Sequence, residues 1–292
     1  YLVRNNYEYS KELALWAVDS GARFVYASSA ATYGLGEAGM DDTDASPEAL
    51  SRLRPLNMYG YSKHLFDCYA ERKGFLNLIT GLKYFNVFGP NEDHKEDMRS
   101  VVHKAYHQIL ESGSVKLFKS YRPEFADGCQ RRDFLYVKDA VRMTIFLAEN
   151  TRAGGIYNVG TGTSRTWLDL ATAIFAALGR QPKIEFVDMP ERLKGKYQYF
   201  TQAEIGKLRG LGYKDEITSL EDAVKDYVLN YLAPGGKLGQ VFREVSELPR
   251  RSQQRICSSR QGQLPPSDAL RQLPGLTRDA VQSDSGDPVS GC

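Results

Sequence analysis

The stretch Phe24-Val25-Tyr26-Ala27-Ser28-Ser29-Ala30-Ala31-Thr32-Tyr33-Gly34 decides the fold. Its first four residues form a short apolar run that stops at two serines, the pattern of a strand buried in a parallel sheet. About thirty residues on, Tyr59-Gly60-Tyr61-Ser62-Lys63 sets a tyrosine and a lysine four positions apart, and so on one face of a helix. A lysine held there lowers the pKa of a nearby phenol by charge proximity and makes it a usable base near neutral pH. A serine hydroxyl at the end of the preceding strand is suited to hold the substrate oxygen that gains or loses the proton. Ser29, Tyr59 and Lys63 together suit hydride transfer between a nicotinamide and a carbinol.

Working outward, the spacing predicts a helix over residues 7–20, with Leu13, Trp16 and Ala17 on one stripe and Gly21 as its stop. The acidic, polar stretch 40–55 reads as a loop, and 59–73 as a helix closed by Gly74. A strand lies within 76–85, punctuated by Asn86-Val87-Phe88-Gly89-Pro90, and an amphipathic helix follows over 98–112. This alternation predicts an α/β fold with a parallel sheet. Further on, strands at 115–118, 131–137, 155–160 and 183–187 and helices from Asp139, over 168–178 and over 220–232 read as a smaller substrate-binding lobe. Gly160-Thr161-Gly162-Thr163 faintly resembles a phosphate loop, but a turn before Trp167 is the better reading. The expected division is 1–112 for a partial nucleotide-binding domain with the catalytic residues, 113–233 for the lobe, and 234–292 for a tail. That tail is rich in Arg, Gln, Ser, Pro and Asp without a period, and is expected to be disordered or foreign to the fold.

A hydrophobic share of 42% in 292 residues supports a sizeable core, and a net charge of +2 gives no prior for nucleic acid or a membrane surface as partner. No apolar run is long enough for a membrane span, and the first residues lack the pattern of a signal peptide. Cys68, Cys129, Cys257 and Cys292 form no CxxC pair, so free thiols in a reducing cytoplasm are expected. His103 and His107 share a helix face without the flanking glutamate of a metal motif, and no metal site is expected.

Four elements occur in one order: the strand end Ser28 to Gly34, Tyr59-x-x-x-Lys63, Tyr84-Phe85-Asn86-Val87-Phe88-Gly89-Pro90, and Arg132-Asp133-Phe134. A lone Tyr-x-x-x-Lys is weak; the four together are specific, and with them the chain resembles the extended short-chain dehydrogenase/reductase family of nucleotide-sugar enzymes. Asn5-Asn6-Tyr7-x-Tyr9-Ser10-Lys11-Glu12, Gly89-Pro90-Asn91-Glu92-Asp93-His94-Lys95 and the stretch from Leu193 to Ala203 narrow the resemblance to members acting on an ADP-linked heptose. It covers roughly residues 1–233 and excludes the tail.

The resemblance implies a Rossmann-like fold and reversible oxidation at C6 of the heptose by tightly held NADP, with hydride returned to the opposite face of a 6-keto intermediate. It implies Tyr59 and Lys95 as the acid/base groups, Ser29 on the reacting oxygen, and Lys63 on the nicotinamide ribose, depressing the Tyr59 pKa. Asn5, Val87 and Lys95, with Lys63, fall on cofactor positions. Asn86, Asp97, Lys104, Phe118, Lys119, Ser120, Tyr121, Arg132 and Tyr197 fall on substrate positions, where Arg and Lys suit a diphosphate. Glu96 and Asp97 put acid beside Lys95, where other members can have small residues. Self-association into a homo-oligomer and a role in lipopolysaccharide heptose synthesis are further implications.

The nearest rivals are a UDP-hexose 4-epimerase and a sugar-nucleotide dehydratase. A dehydratase is expected to carry an Asp-Glu pair after the serine-bearing strand end, where Ala30-Ala31 stand. A rival of another class is an inactive fragment. The chain begins at Tyr1 with too little ahead of the set for a glycine-rich phosphate loop, so the sheet is expected to lack its first strands and to show an unpaired edge. Expressed alone, the 292 residues are expected to bind NADP poorly and turn over little.

Overall fold

The computed structural model describes residues 1–195 and 197–238; the expected tail lies outside the described residues from position 239 on. The first element is a π-helical turn, Arg4–Glu8, that runs into α1 (Tyr9–Asp19). Of the predicted stripe only Ala17 lies on its buried face. Ala14 and Ala17 are buried, whereas Leu13 is 39% and Trp16 66% exposed. Small residues face inward because α1 lies close against the cluster of Phe66, Ala70 and Phe75.

β1 (Val25–Ser29) leads into a 3-10 turn, Ala30–Tyr33. The stretch expected to be all loop contains α2 (Pro47–Arg52), whose start follows helix rules: Ser46 Oγ accepts from Ala49 N at 3.2 Å and proline occupies the first turn. α3 (Met58–Arg72) is capped by Asn57, whose Oδ1 accepts from Gly60 N at 2.9 Å. β2 (Thr80–Tyr84), β3 (Asn86–Phe88), α4 (Val101–Ser112), β4 (Val115–Phe118), β5 (Arg131–Tyr136) and α5 (Val137–Glu149) follow. The remainder comprises β6 (Gly155–Val159), β7 (Ser164–Thr166), α6 (Trp167–Ala177), β8 (Ile184–Val187), α7 (Glu191–Lys194), α8 (Gly206–Gly210) and α9 (Leu220–Tyr227). A π-helical turn, Val228–Leu232, extends α9, so the expected helix over 220–232 is one continuous element with a looser last turn.

The main sheet has order β1-β2-β6, all parallel, with Ser29 opposite Tyr84 and Tyr84 opposite Val159. β6 is drawn from the second half of the chain, so the division expected at 112/113 does not divide the sheets. Among the described residues β1 pairs with β2 alone and is an edge. A second sheet, β3-β5-β7, joins β3 to β5 in parallel and β7 antiparallel, and β4 pairs with β8. One face of the main sheet is covered by Phe66, Ala70 and Leu50, the other by Ala140, Met143 and Leu147 of α5. α4, α6 and α9 pack with Val115 and Leu117 into the core of the lobe. Each fully buried large apolar side chain here contributes about 1.5–3 kcal/mol. Among the described residues no helix is long and apolar enough to cross a membrane.

Candidate active site

Parallel strands aim their carboxyl ends the same way, and ligands collect there in α/β sheets. Ser29 closes β1 at that end; its Oγ accepts from Ala31 N at 3.1 Å, which caps the following turn. α3 packs its first turn directly on this turn. A Cβ on Gly60 would sit 2.7 Å from Ala31 O and 3.2 Å from Pro55 Cβ, so only glycine allows the approach. That contact brings Tyr59, 43% exposed, and Lys63 to the strand end that carries Ser29. Lys63 Nζ donates to Ala27 O of the edge strand at 2.9 Å. Burial lowers the Lys63 pKa below the ordinary lysine value, while Asp67 pulls it the other way. Two ammonium protons remain for a ligand's hydroxyls. The first helix is tied to the same turn: Asn6 Nδ2 donates to Ser62 Oγ at 3.1 Å, and Ser62 Oγ donates to Tyr59 O at 2.8 Å. Asn5, beside Asn6, is exposed.

Behind this surface lies a buried polar network that the sequence reading missed. Asp67, fully buried, accepts from Tyr26 Oη at 2.9 Å and Ser28 Oγ at 2.8 Å, and stands 3.7 Å from Lys83 Nζ. Lys83 Nζ donates to Thr32 Oγ1 at 2.9 Å, and Thr32 Oγ1 donates to Ser29 O at 2.8 Å. Burial pushes the Lys83 pKa down, against the pull of Asp67. Tyr33 Oη continues the network to Asn158 Oδ1 at 2.8 Å, and Asn158 N donates to Asp42 Oδ2 at 2.5 Å. Burial raises the Asp42 pKa to about 6. Asp67 lies one turn beyond Lys63 on α3, which is the one sequence signal that could have drawn notice to it.

Asn86 and Val87 follow β2 on β3, at the same sheet end, both half-buried. Thr201 Oγ1 donates to Asn86 Oδ1 at 3.3 Å and accepts from Asp133 N at 3.1 Å, joining Asn86 to β5. Asp133 explains the Arg-Asp-Phe motif: its buried carboxylate accepts from Thr161 N and Thr161 Oγ1 at 2.7 Å and from Gly162 N and Ala203 N at 3.0 Å. Gly160 fits because a Cβ there would lie 3.0 Å from Asp133 Oδ2 and 2.5 Å from Ala203 Cβ. The glycine-rich turn therefore cradles this chain's own carboxylate.

The lobe gathers most of the expected substrate residues. Arg132, 4% exposed, lies 5.0 Å from the Tyr197 ring and 5.6 Å from the Trp167 ring, and donates to Arg131 O. Tyr197 is buried edge-on to Phe118 and Tyr199, so it forms a wall and does not protrude. Lys119 pairs with Asp188 at 3.2 Å, and Tyr121 Oη donates to the same carboxylate at 3.1 Å. Ser120 N donates to Asp127 Oδ1 at 2.7 Å. Lys95, Asp97 and Lys104 form a third group, all exposed, in which Lys104 Nζ donates to Asp97 O at 2.5 Å. His103 Nε2 is 3.2 Å from Asp93 Oδ1, and its ring packs at 4.7 Å on His107. Among the described residues no cluster of three metal-binding side chains occurs, and Cys68 and Cys129 are free thiols.

A family model described as the NAD dependent epimerase/dehydratase family matches residues 1–160. The chain is 54% identical over 233 residues to an ADP-L-glycero-D-manno-heptose-6-epimerase of Nitratidesulfovibrio vulgaris strain Hildenborough, covering 80% of this chain and 71% of that one. It is 50% identical over 240 residues to the protein of that name from Fusobacterium nucleatum, covering 80% and 72%. Its fold matches the crystal structure of the Helicobacter pylori ADP-L-glycero-D-manno-heptose-6-epimerase with a TM-score of 0.62 and 30% identity. That match covers 78% of this chain and 66% of the other, so this chain spans about two thirds of that structure's length.

Proposed function

The chain belongs to the NAD-dependent epimerase/dehydratase family, and from this we propose that it inverts C6 of the heptose in ADP-D-glycero-β-D-manno-heptose to give the L-glycero epimer. One observation carries the chemistry: α3 presses Gly60, the neighbour of Tyr59, on the turn that follows Ser29, and Lys63 Nζ donates to Ala27 O of the same strand. The substrate is taken from the relatives, which match this chain over 233 and 240 residues at 54% and 50% identity.

A nicotinamide cofactor suits these residues. Lys63 is held at the sheet end with protons to spare, Tyr59 is exposed on the same helix face, Asn5 is exposed, and Val87 is half-buried. They would hold its nicotinamide ribose end, and NADP is the form we propose. Bound there, it supplies a hydride acceptor and donor. Ser29 hydrogen-bonds the C6 oxygen. Tyr59 takes the hydroxyl proton as general base, and the Lys63 ammonium stabilises the phenolate that results. Inversion exposes the second face of the carbon, and Lys95 is the acid/base group for that face. Arg132 and Lys119 neutralise the diphosphate, for which a guanidinium is suited, while Phe118, Tyr121 and Tyr197 wall the lobe. Asn86, Asp97, Lys104 and Ser120 complete the proposed substrate contacts. The chain division into a nucleotide-binding part and a mainly substrate-binding lobe follows the same assignment. We place the protein in the cytoplasm as a homo-oligomer that supplies heptose for lipopolysaccharide.

The test is to incubate full-length protein with ADP-D-glycero-β-D-manno-heptose and NADP and follow C6 configuration by NMR. Conversion to a mixture of epimers is expected. An unchanged substrate beside an active relative run in parallel contradicts the proposal.

A further inference from the structure

The loop carrying Lys95 is closed at both ends by one buried side chain. Glu92, 3% exposed, accepts from Ser100 N at 2.8 Å and Ser100 Oγ at 2.5 Å, so the residues that begin and end the 92–100 loop are tied together. Its Oε1 also accepts from Tyr227 Oη of α9 at 2.9 Å, which fastens the closed loop to the lobe core. Glu92 O accepts from Lys95 N at 3.0 Å. Inside the loop, Arg99 Nε and Nη2 hold Asp93 O at 3.0 and 2.6 Å. The residue after Lys95 is strained: Glu96 has φ 46 and ψ −121. Such a backbone costs about 1–3 kcal/mol and persists only where the surroundings impose it.

We propose that Glu92 is a positioning residue. Through its bonds to Ser100 and Tyr227 it fixes the 92–100 loop on α9 and so sets where Lys95 stands. This deepens the reading of Lys95 as the second acid/base group and rests on it. A carboxylate suits the task because it accepts several bonds at once with charge-assisted strength, and its burial beneath the loop keeps water from competing.

The experiment compares Glu92→Gln and Tyr227→Phe in the full-length protein, each with and without Lys95→Ala. Two readouts are taken: in the proteins that keep Lys95, the rate of native-state tryptic cleavage after Lys95, mapped by mass spectrometry; in all of them, kcat and KM for epimerisation. In Glu92→Gln the cleavage is expected to speed up by about 10-fold as local opening becomes easier. Its kcat is expected to fall by about 10-fold with KM little changed, because misplacement of an acting group is felt in the rate. Tyr227→Phe, which removes one of the three bonds, moves both in the same direction by less. In the Lys95→Ala background, Glu92→Gln is expected to lower the residual rate by less than about twofold. Unchanged cleavage in both variants overturns the clamp. An equally large rate loss in the Lys95→Ala background overturns action through Lys95. Should Lys95→Ala alone keep full turnover, the role assigned to Lys95 falls and with it any positioning for catalysis, while faster cleavage would still establish the clamp.

Discussion

Tyr59 and Lys95 are assigned the same kind of work, yet they stand on opposite kinds of support. Tyr59 projects from a helix that Gly60 lets press on the Ser29 turn, and Asp67, Lys83 and Thr32 lock that helix and strand together from behind. Lys95 stands on an exposed loop held at its two ends by Glu92. The difference teaches that one acid/base group is fixed by the sheet itself, while the other can be set by a tether. The proposed reaction needs an acid/base group for each face of one carbon, and the two residues proposed for it are held by different means.

The largest break in this comparison is Tyr59→Phe, which should lower kcat by about 10²–10⁴ while nicotinamide binding, read by fluorescence, persists. Unchanged turnover would remove Tyr59 from the mechanism. Next, Asp67→Ala leaves Lys83 buried without its ion-pair partner and should destabilise the fold by about 3–5 kcal/mol in urea unfolding. A loss as small as that of a surface substitution would show that the network does not hold the helix. Gly60→Ala inserts a methyl where Ala31 O leaves no room. It should cost about 1–3 kcal/mol and lower kcat, since α3 must withdraw from Ser29.

The smallest effect tests the far end of the network by pH. Asp42 has its folded-state pKa raised from 3.8 to about 6 by burial. The folded state therefore holds a proton that the unfolded state releases between those values. The stability contributed is fully present below pH 3.8 and is lost as pH rises through about 6. Asp42→Asn should flatten this decline and gain on the order of 2 kcal/mol at pH 7 relative to the parent. Parallel unfolding curves from pH 4 to 7 for both proteins check it; identical pH slopes would contradict it.

Much of the fold around the proposed site was legible, because local pattern and local structure coincide there. The apolar run before Ser28-Ser29 is consistent with a buried strand and forms one, and Tyr59 and Lys63 share a helix face wherever the helix lies. The network was not legible. Its members pair across long separations, Tyr26 with Asp67 and Tyr33 with Asn158, and nothing local marks a buried Lys83. Leu13 and Trp16 misled, because a close helix contact selected Ala14 and Ala17 for the inside. The short helix α2 was hidden by its polarity, although Ser46-Pro47 carried a start signal. The substrate positions came from resemblance, since no spacing in a single sequence brings Phe118, Arg132 and Tyr197 together.

The measurement that tests the central claim most directly is epimerisation in deuterated water, with the product's C6 position read by NMR and mass spectrometry. Reversible oxidation at C6 returns the hydrogen that left, so the product is predicted to keep protium at C6. Deuterium at C6 would mean that the centre is inverted by proton removal and return, and would contradict the roles assigned to Ser29, Tyr59 and Lys63.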